Sequence, residues 1–266
     1  MKNLSITLLL LLSCAMWAEA QEQPQKSELS SEEREAAHRL WFENFEARFE
    51  KGNYPHKGVD LPYRTLPIAP EKSGKAALVI FLHSSKGRGI DNRGQLRGSV
   101  QQVVKNLEQI GQKVLLAVPQ CRPDRRWNEN YATLGDKMPI VLRGWINQLL
   151  ADHLEVDPAR LYLIGDSSGG SGVLFMLDNY PKLFAGAIAA SCYPHKSNSV
   201  AAIAKTPLAI SYSDYQPERE VLTRKFADKI AKNGGTVRYT PISGYDNNYS
   251  RLSVELIEWM LSFRRK

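Results

Sequence analysis

Short apolar runs alternate with segments of helical periodicity from residue 76 onward, and no other feature limits the fold as strongly. The first run, Ala76 to Leu82, contains no charged residue and suits a strand buried on both faces. The predicted strands cover residues 76–82, 113–118, 161–164, 187–190, 208–212 and 236–241, and the predicted helices cover 99–110, 138–153, 168–179, 218–233 and 250–263. This order predicts an α/β fold, with a mostly parallel, doubly wound sheet and helices on both faces.

Residues 1–20 differ from the rest of the chain and have the pattern of a signal peptide. Lys2 supplies the positive start, residues 4–17 an apolar stretch, and Ala18-Glu19-Ala20 a small-residue cleavage site. We therefore expect an exported protein, periplasmic or secreted; a lipid anchor at Cys14 is the alternative. No later apolar stretch reaches the length of about 18 residues that a membrane span needs.

The remainder, residues 21–266, is expected to form one domain. It begins with a polar stretch and a helix within residues 21–54, where Ser30 and Glu33 form the pattern of a capping box and the helix is predicted to end near Lys51. The full chain has 266 residues, of which 43% are apolar, and no internal repeat, so a single large core is expected. Its net charge of +7 is scattered without a recognition motif, which argues against a nucleic-acid partner.

Cys121 and Cys192 are the cysteines that follow the predicted cleavage site. An exported protein could pair them, although two small buried side chains are the alternative. The Cys and His residues show no metal-ligand spacing, so neither a metal nor another cofactor is predicted.

The segment from Leu161 to Gly170 carries the clearest chemical signal. A predicted strand runs directly into Gly165-Asp166-Ser167-Ser168-Gly169 and then into a helix, which is the context of the G-x-S-x-G motif. A sharp turn that lifts the Ser167 hydroxyl clear of the sheet leaves no room for side chains two positions away. The motif predicts a nucleophilic serine, and a glycine-rich turn capped by serine is the alternative.

Several further segments carry a resemblance to a known family. They are Leu61-Pro62-Tyr63-Arg64, Phe81-Leu82-His83, Gly87-Arg88-Gly89, Asp91-Asn92, Ala117-Val118-Pro119-Gln120-Cys121 with Trp127, and Asp157-Pro158-Ala159-Arg160. Together with the motif at Ser167, they resemble the α/β-hydrolase superfamily over most of the chain. The resemblance is to its exported esterase branch, which contains polyhydroxybutyrate-depolymerase-like, feruloyl-esterase-like and prolyl-oligopeptidase-related proteins.

The resemblance implies a role for each matching position. Ser167 corresponds to the nucleophile, and the backbone N–H of Ser168 to one oxyanion donor, with Ser84 or Ser85 as the second. Asp214 corresponds to the acid that orients the base. Gln120 and Trp127 belong to the loops around the oxyanion and binding site.

The sequence departs from the family at the catalytic base. The family's histidine should follow the last strand, but the matching position is Asp246, or Asn247 if the alignment slips by one. An ordinary carboxylate, with a pKa of about 4, is a far weaker base than imidazole. His195 is the alternative base, Lys86 is a further candidate, and His83 is expected to be structural. We therefore predict low or unconventional activity.

The predicted function is hydrolysis of a small-molecule ester or a glycan-linked acyl group through an incomplete triad. Trp127, Tyr193, Tyr245 and Tyr249 are predicted to lie on the site side, where they could line a pocket for a sugar or an aromatic acyl group. A catalytically inactive binding protein with the same fold, or a peptidase, remains an alternative. The oligomeric state is not predicted.

Overall fold

The structure is a computed structural model that describes residues 30–128, 137–213, 217–242 and 250–265. The signal peptide, Cys14, Asp214, Asp246 and Asn247 lie outside the described residues, as do Tyr245 and Tyr249. The chain divides into two compact units, residues 1–45 and 46–266.

The first described helix, α1 (Ser31–Ala47), begins at the predicted capping box. The backbone N–H of Ser30 donates to Glu33 Oε2 at 2.8 Å, and the N–H of Glu33 donates to Ser30 Oγ at 3.2 Å. These two bonds satisfy N–H groups that a helix start leaves without partners. The helix ends before the predicted Lys51, because the chain enters a strand at Glu50.

The second unit is built on an eight-stranded sheet with the order β1-β2-β4-β3-β5-β6-β7-β8. The strands are β1 (Glu50–His56), β2 (Val59–Ile68), β3 (Ala76–Leu82), β4 (Val114–Pro119), β5 (Val156–Asp166), β6 (Gly186–Ala190), β7 (Leu208–Ser213) and β8 (Val237–Ile242). Strands β3 to β8 run parallel, whereas β2 is antiparallel to both β1 and β4. The predicted α/β fold with a mostly parallel sheet is confirmed.

Within the described part of the second unit, six α-helices connect these strands or follow them. They are α2 (Ser99–Ile110), α3 (Met138–Asp152), α4 (Ser168–Asn179), α5 (Val200–Ile203), α6 (Pro217–Lys232) and α7 (Val254–Leu261). Leu78 and Ile80 of β3 pack into a buried cluster with α3 and α4. On the opposite face, the Tyr162 hydroxyl donates to the Leu261 carbonyl at the end of α7, at 3.0 Å. The sheet is therefore covered on both faces, as predicted.

The antiparallel hairpin of β1 and β2 lies outside the predicted β-α series, which begins at residue 76. Its turn places Lys57 at φ 45° and Gly58 at φ 77°, and two positive φ values are typical of the tight hairpin turn that matches strand twist. β1 is a polar edge strand without an apolar run, so periodicity could not distinguish it from the end of a charged helix.

Among the described residues, no helix is long and apolar enough to cross a membrane.

Candidate active site

Ser167 occupies a strained turn between β5 and α4. Its backbone lies at φ 56° and ψ −115°, in the positive-φ region that glycine favours. A non-glycine residue in such a conformation costs about 1–3 kcal/mol, and such strain is concentrated at functional sites. Ser167 is also the N-cap of α4, yet its side chain makes no capping bond, and the residue is exposed. The hydroxyl is therefore available for chemistry.

The glycines on either side of Ser167 allow this turn to pack against the sheet. A Cβ atom on Gly165 would lie 2.3 Å from the Gly169 carbonyl oxygen, and one on Gly169 would lie 1.9 Å from the Leu82 carbonyl oxygen. Both distances are far below van der Waals contact, and both obstacles are backbone atoms. The motif needs its glycines for the steric reason predicted from the sequence.

Backbone N–H groups from two segments lie beside the Ser167 turn. Ser168 is the first residue of α4, so its N–H has no acceptor within the helix. Ser84 follows β3, whose last carbonyl packs against Gly169, and this contact places the Ser84 backbone beside the turn. Within the described part of the chain, the N–H groups of Ser84, Ser85 and Ser168 donate to no carbonyl.

His83 is locked in a neutral, buried state. Its Nδ1–H donates to the Ser84 carbonyl at 2.6 Å, and its Nε2 accepts from the Cys121 N–H at 3.0 Å. The carbonyl of His83 accepts from Trp127 Nε1–H at 2.9 Å. Burial lowers the pKa of His83 to about 4. With both ring nitrogens occupied, His83 holds the oxyanion loop in shape, which agrees with the structural role expected for it.

We expect the His83 imidazole to remain neutral in the folded protein as the pH falls from 7 to nearly 4, because its pKa lies well below that of an unfolded histidine. The unfolded chain gains this proton near pH 6.5, so His83 stabilises the fold fully above that pH. Between pH 6.5 and 4 this contribution, about 3 kcal/mol, is lost. NMR titration of the ring and urea unfolding at pH 7 and 5 measure both effects. A His83 resonance that titrates near pH 6.5 would contradict the assignment.

Gln120 corrects one prediction, because its side chain does not line a binding site. It is fully buried, and Nε2–H donates to the Gly87 carbonyl at 3.2 Å and to Asp91 Oδ1 at 2.7 Å. Its Oε1 accepts from the Asn92 N–H at 2.7 Å. With all of these groups in use, Gln120 holds the loop after β3 in place and has no contact left for a substrate.

The loop after β3 is held in place by further hydrogen bonds and ion pairs, which involve Asn92, Arg64 and Glu46. The Asn92 side-chain amide donates to the Tyr63 carbonyl at 3.0 Å, and the buried Arg64 donates to the Asn92 carbonyl at 2.7 Å. Glu46 pairs with Arg64 and with Arg93. Sequence reasoning did not assign Arg64 or Glu46 a function. A buried arginine has to be paired, but its partners are far apart in sequence.

Asp166, the residue before Ser167, forms a second network that the sequence did not predict. It is 5% exposed and accepts a hydrogen bond from the Ser99 hydroxyl. Arg251 Nε–H donates to its other carboxylate oxygen at 3.1 Å. Arg251 lies just beyond residues 243–249, the segment that should carry the base. The ion pair joins the 3-10 turn that contains Arg251 to the residue before Ser167.

The prediction of His195 as an alternative base is also corrected, because the structure does not place His195 beside Ser167. Its ring bonds locally to the Ser197 hydroxyl at 2.7 Å and lies 6.1 Å, between ring centroids, from Phe175. Phe175 is eight residues along α4 from Ser167, which corresponds to a rise of about 12 Å. A general base must lie within hydrogen-bond reach of the hydroxyl, so this position does not serve.

The other imidazoles do not bond to Ser167 either. All five histidines of the chain lie in the described residues. His56 bonds to Tyr54, His153 to Glu155, and the ring of His38 contacts Trp41 within α1. Lys86 is exposed on the loop after β3. None of these side chains donates to or accepts from Ser167 in the described part of the structure.

The two carboxylates predicted for the triad follow neighbouring strand ends. Asp214 and Asp246 lie outside the described residues, but the strands before them pair in register through Ser213 and Ile242. The segments that carry the two aspartates therefore leave the same edge of the sheet, the edge that also bears Ser167.

A cleft of about 340 Å³ opens beside the Ser167 turn, and we call it the arginine cleft. Its lining residues are Arg88, Cys121, Arg126, Trp127, Asn128, Ser168 and Ser171. Trp127 is one of these lining residues, although only 2% of it is exposed. Tyr193 does not line this cleft and instead contacts Arg219 and Tyr212. Cys121 and Cys192 are both buried and form no disulfide with each other. In the described segments, no group of three His, Cys, Asp or Glu side chains could hold a metal ion.

Comparison with known proteins bears on this arrangement. The family model described as "Putative esterase" matches residues 113–234, which include β4, the turn at Ser167 and α6. The crystal structure of a thermostable esterase is similar, with a TM-score of 0.69 and 27% sequence identity over 82% of this chain. This chain has the α/β-hydrolase fold. The predicted resemblance to α/β-hydrolase esterases is therefore confirmed.

Other α/β-hydrolases share the fold at lower identity. A ferulic acid esterase has a TM-score of 0.59 and 16% identity, over 80% of this chain and 96% of its own. An S-formylglutathione hydrolase from Agrobacterium tumefaciens has a TM-score of 0.59 and 12% identity, over 80% and 93%. This α/β-hydrolase spans 64% of the length of the thermostable esterase. Comparison with curated protein sequences finds no match.

Proposed function

We propose that this α/β-hydrolase is an exported serine hydrolase that cleaves carboxylic esters through Ser167, with an incomplete triad and reduced activity. The observation that carries the proposal is the Ser167 turn, in which an exposed, uncapped hydroxyl occupies a backbone conformation with φ 56°. Its substrates are small-molecule esters or glycan-linked acyl groups. Export rests on the signal-peptide pattern of residues 1–20, whose removal leaves residues 21–266 as one domain.

The reaction would proceed in two steps. Ser167 Oγ attacks the ester carbonyl carbon, and the N–H groups of Ser168 and of Ser84 or Ser85 stabilise the resulting oxyanion. The bond to the alcohol oxygen breaks, the alcohol leaves with the serine proton, and an acyl-serine remains. Water then attacks the acyl-serine, which releases the acid and restores the hydroxyl.

The general base is the least effective group in this proposed reaction. Asp246, oriented with Asp214, would accept the serine proton, but a carboxylate of ordinary pKa does so poorly near neutral pH. Removal of the base from such triads lowers turnover by up to about 10⁶-fold, whereas the oxyanion hole and binding alone keep about 10³ to 10⁴ over water. Slow hydrolysis is therefore the expected outcome.

Ser167→Ala should reduce hydrolysis of 4-nitrophenyl acetate to the rate of the buffer blank, because it removes the attacking oxygen. It should leave the free energy of unfolding nearly unchanged, since this side chain makes no capping bond. Ser199 provides a matched control, because it is the N-cap of α5 and its hydroxyl accepts from the Ala202 N–H. Ser199→Ala should cost about 1 kcal/mol of stability and keep turnover. Equal hydrolysis by wild type and Ser167→Ala would refute the proposal.

The placement of the histidines favours one further candidate, a binding protein that has kept the site and lost turnover. In that case wild type and Ser167→Ala would bind a ligand equally, and neither would hydrolyse an ester above the blank. Calorimetry on both proteins, beside the hydrolysis assay, distinguishes the two functions.

A further inference from the structure

The arginine cleft carries two positive charges that no described acid neutralises. Arg88 follows the short turn after β3, and Arg126 lies in the loop after β4, so two separate loops bring them to one cleft. Neither guanidinium forms an ion pair with a described residue. None of the residues lining the cleft is acidic.

Other arginines of the same two loops form ion pairs with acidic residues. Arg88 and Arg126 therefore differ from arginines close to them in the chain. Arg93 bonds to Glu46 at 2.6 Å, and Arg122 bonds to Asp124 at 3.1 Å. Arg88 is half-buried, and its Nε–H donates only to the Ser85 carbonyl, at 3.3 Å. The terminal N–H groups of Arg88 make no hydrogen bond to another described residue.

Such a cleft is suited to an anion. Two cations that face the same small space repel each other, and a bound negative group removes that repulsion. The planar arginine fork matches the geometry of a carboxylate or a phosphate. Ser171 and Asn128 add neutral hydrogen-bonding groups, and the N-terminal end of the 12-residue helix α4 adds a positive dipole.

The arginine cleft lies next to the candidate catalytic residues, so its positive charge is close to the proposed reaction. Ser168, whose N–H is an oxyanion candidate, is itself a lining residue, so a ligand in the cleft lies next to the reacting carbonyl. Trp127 and Cys121 supply an apolar wall. A volume of about 340 Å³ accommodates a short chain rather than a polymer segment.

We propose that the arginine cleft binds a negatively charged group of the substrate, so that this α/β-hydrolase prefers short esters that carry a carboxylate or similar anion near the scissile carbonyl. This inference rests on the proposed function, because it names the substrate class of the same site.

Two esters of matched shape test the inference. Mono-4-nitrophenyl adipate carries a free carboxylate, and its methyl ester is neutral. Wild type should show kcat/KM at least about tenfold higher for the anion, and the ratio should fall as salt is added. Arg88→Gln and Arg126→Gln should each lower the ratio about tenfold, chiefly through KM. Arg122→Gln, which removes a paired arginine from the same loop, should leave the ratio unchanged. Arg126 is exposed, so its variant should fold even if Arg88→Gln does not.

Calorimetry separates this inference from the proposed function. Ser167→Ala, which should not hydrolyse either ester, should bind mono-4-nitrophenyl adipate at least about tenfold more tightly than the neutral ester. If Ser167→Ala still hydrolyses ester but binds the anion more tightly, the proposed nucleophile is wrong and the anion site stands. Equal binding of the two esters, or a preference that Arg126→Gln leaves intact, would overturn the anion site.

Discussion

Asp246→His is expected to raise kcat/KM for 4-nitrophenyl acetate by about 10² or more. General-base catalysis by a positioned imidazole contributes about 10² to 10⁴, and the proposed function assigns the nucleophile and the oxyanion donors to residues already present. A base acts in its neutral form, so the gained activity should increase with pH through the ordinary histidine pKa of about 6.5. Initial rates between pH 5 and 9 measure both the size of the gain and its pH dependence.

Two controls make this result specific. Asp246→Asn removes the carboxylate without adding a base and should give no gain. Asp214→Asn combined with Asp246→His should lose most of the gain, since the acid that orients the imidazole is absent. If Asp246→His is no faster than wild type while Asn247→His is, the alignment is shifted by one residue. If neither variant gains activity, the segment at 243–249 does not supply the base.

Gly169→Ala should destabilise the fold by at least about 3 kcal/mol, or prevent folding. The new Cβ would lie 1.9 Å from the Leu82 carbonyl oxygen, and that carbonyl belongs to a central, fully buried strand that cannot move aside. In an unobstructed helix the same substitution stabilises, because alanine is the better helix former. Urea unfolding followed by circular dichroism measures the change.

Gly144→Ala is the matched control for this substitution. Gly144 also lies within a helix, α3, but its added Cβ would meet the Tyr54 hydroxyl, the far end of a flexible side chain, at 2.3 Å. Tyr54 can rotate away, so we expect a change within about 1 kcal/mol. If Gly169→Ala is as stable as Gly144→Ala, α4 does not pack on β3 as described.

The parts of the fold that follow from local chemistry could be predicted from the sequence. Strand β3 and helix α2 have the predicted limits, Ala76 to Leu82 and Ser99 to Ile110. The reasons are local: every residue of β3 is buried, and α2 ends where Gly111 takes the left-handed conformation. Ser167 could be predicted for the same reason, because its strand, turn and glycines are contiguous in sequence.

The parts that depend on distant partners could not be predicted. Gln120 was assigned to the binding region from its position in a loop, whereas its bonds to Asn92 and Gly87 make it a support of the neighbouring loop. The pairing of Asp166 with Arg251 joins residues 85 positions apart. The positive charges are scattered along the sequence, so the sequence does not indicate that Arg88 and Arg126 are neighbours. They line the same cleft only because two separate loops bring them together in the fold.

The proposed function depends most on the reactivity of the Ser167 hydroxyl, and a covalent probe measures this reactivity directly. The folded protein is incubated with a fluorophosphonate, and the modified peptide is identified by mass spectrometry in wild type and in Ser167→Ala. We expect a single adduct, located on Ser167 and missing from Ser167→Ala. An unmodified Ser167, or an adduct on another serine that persists in Ser167→Ala, would contradict the proposed function.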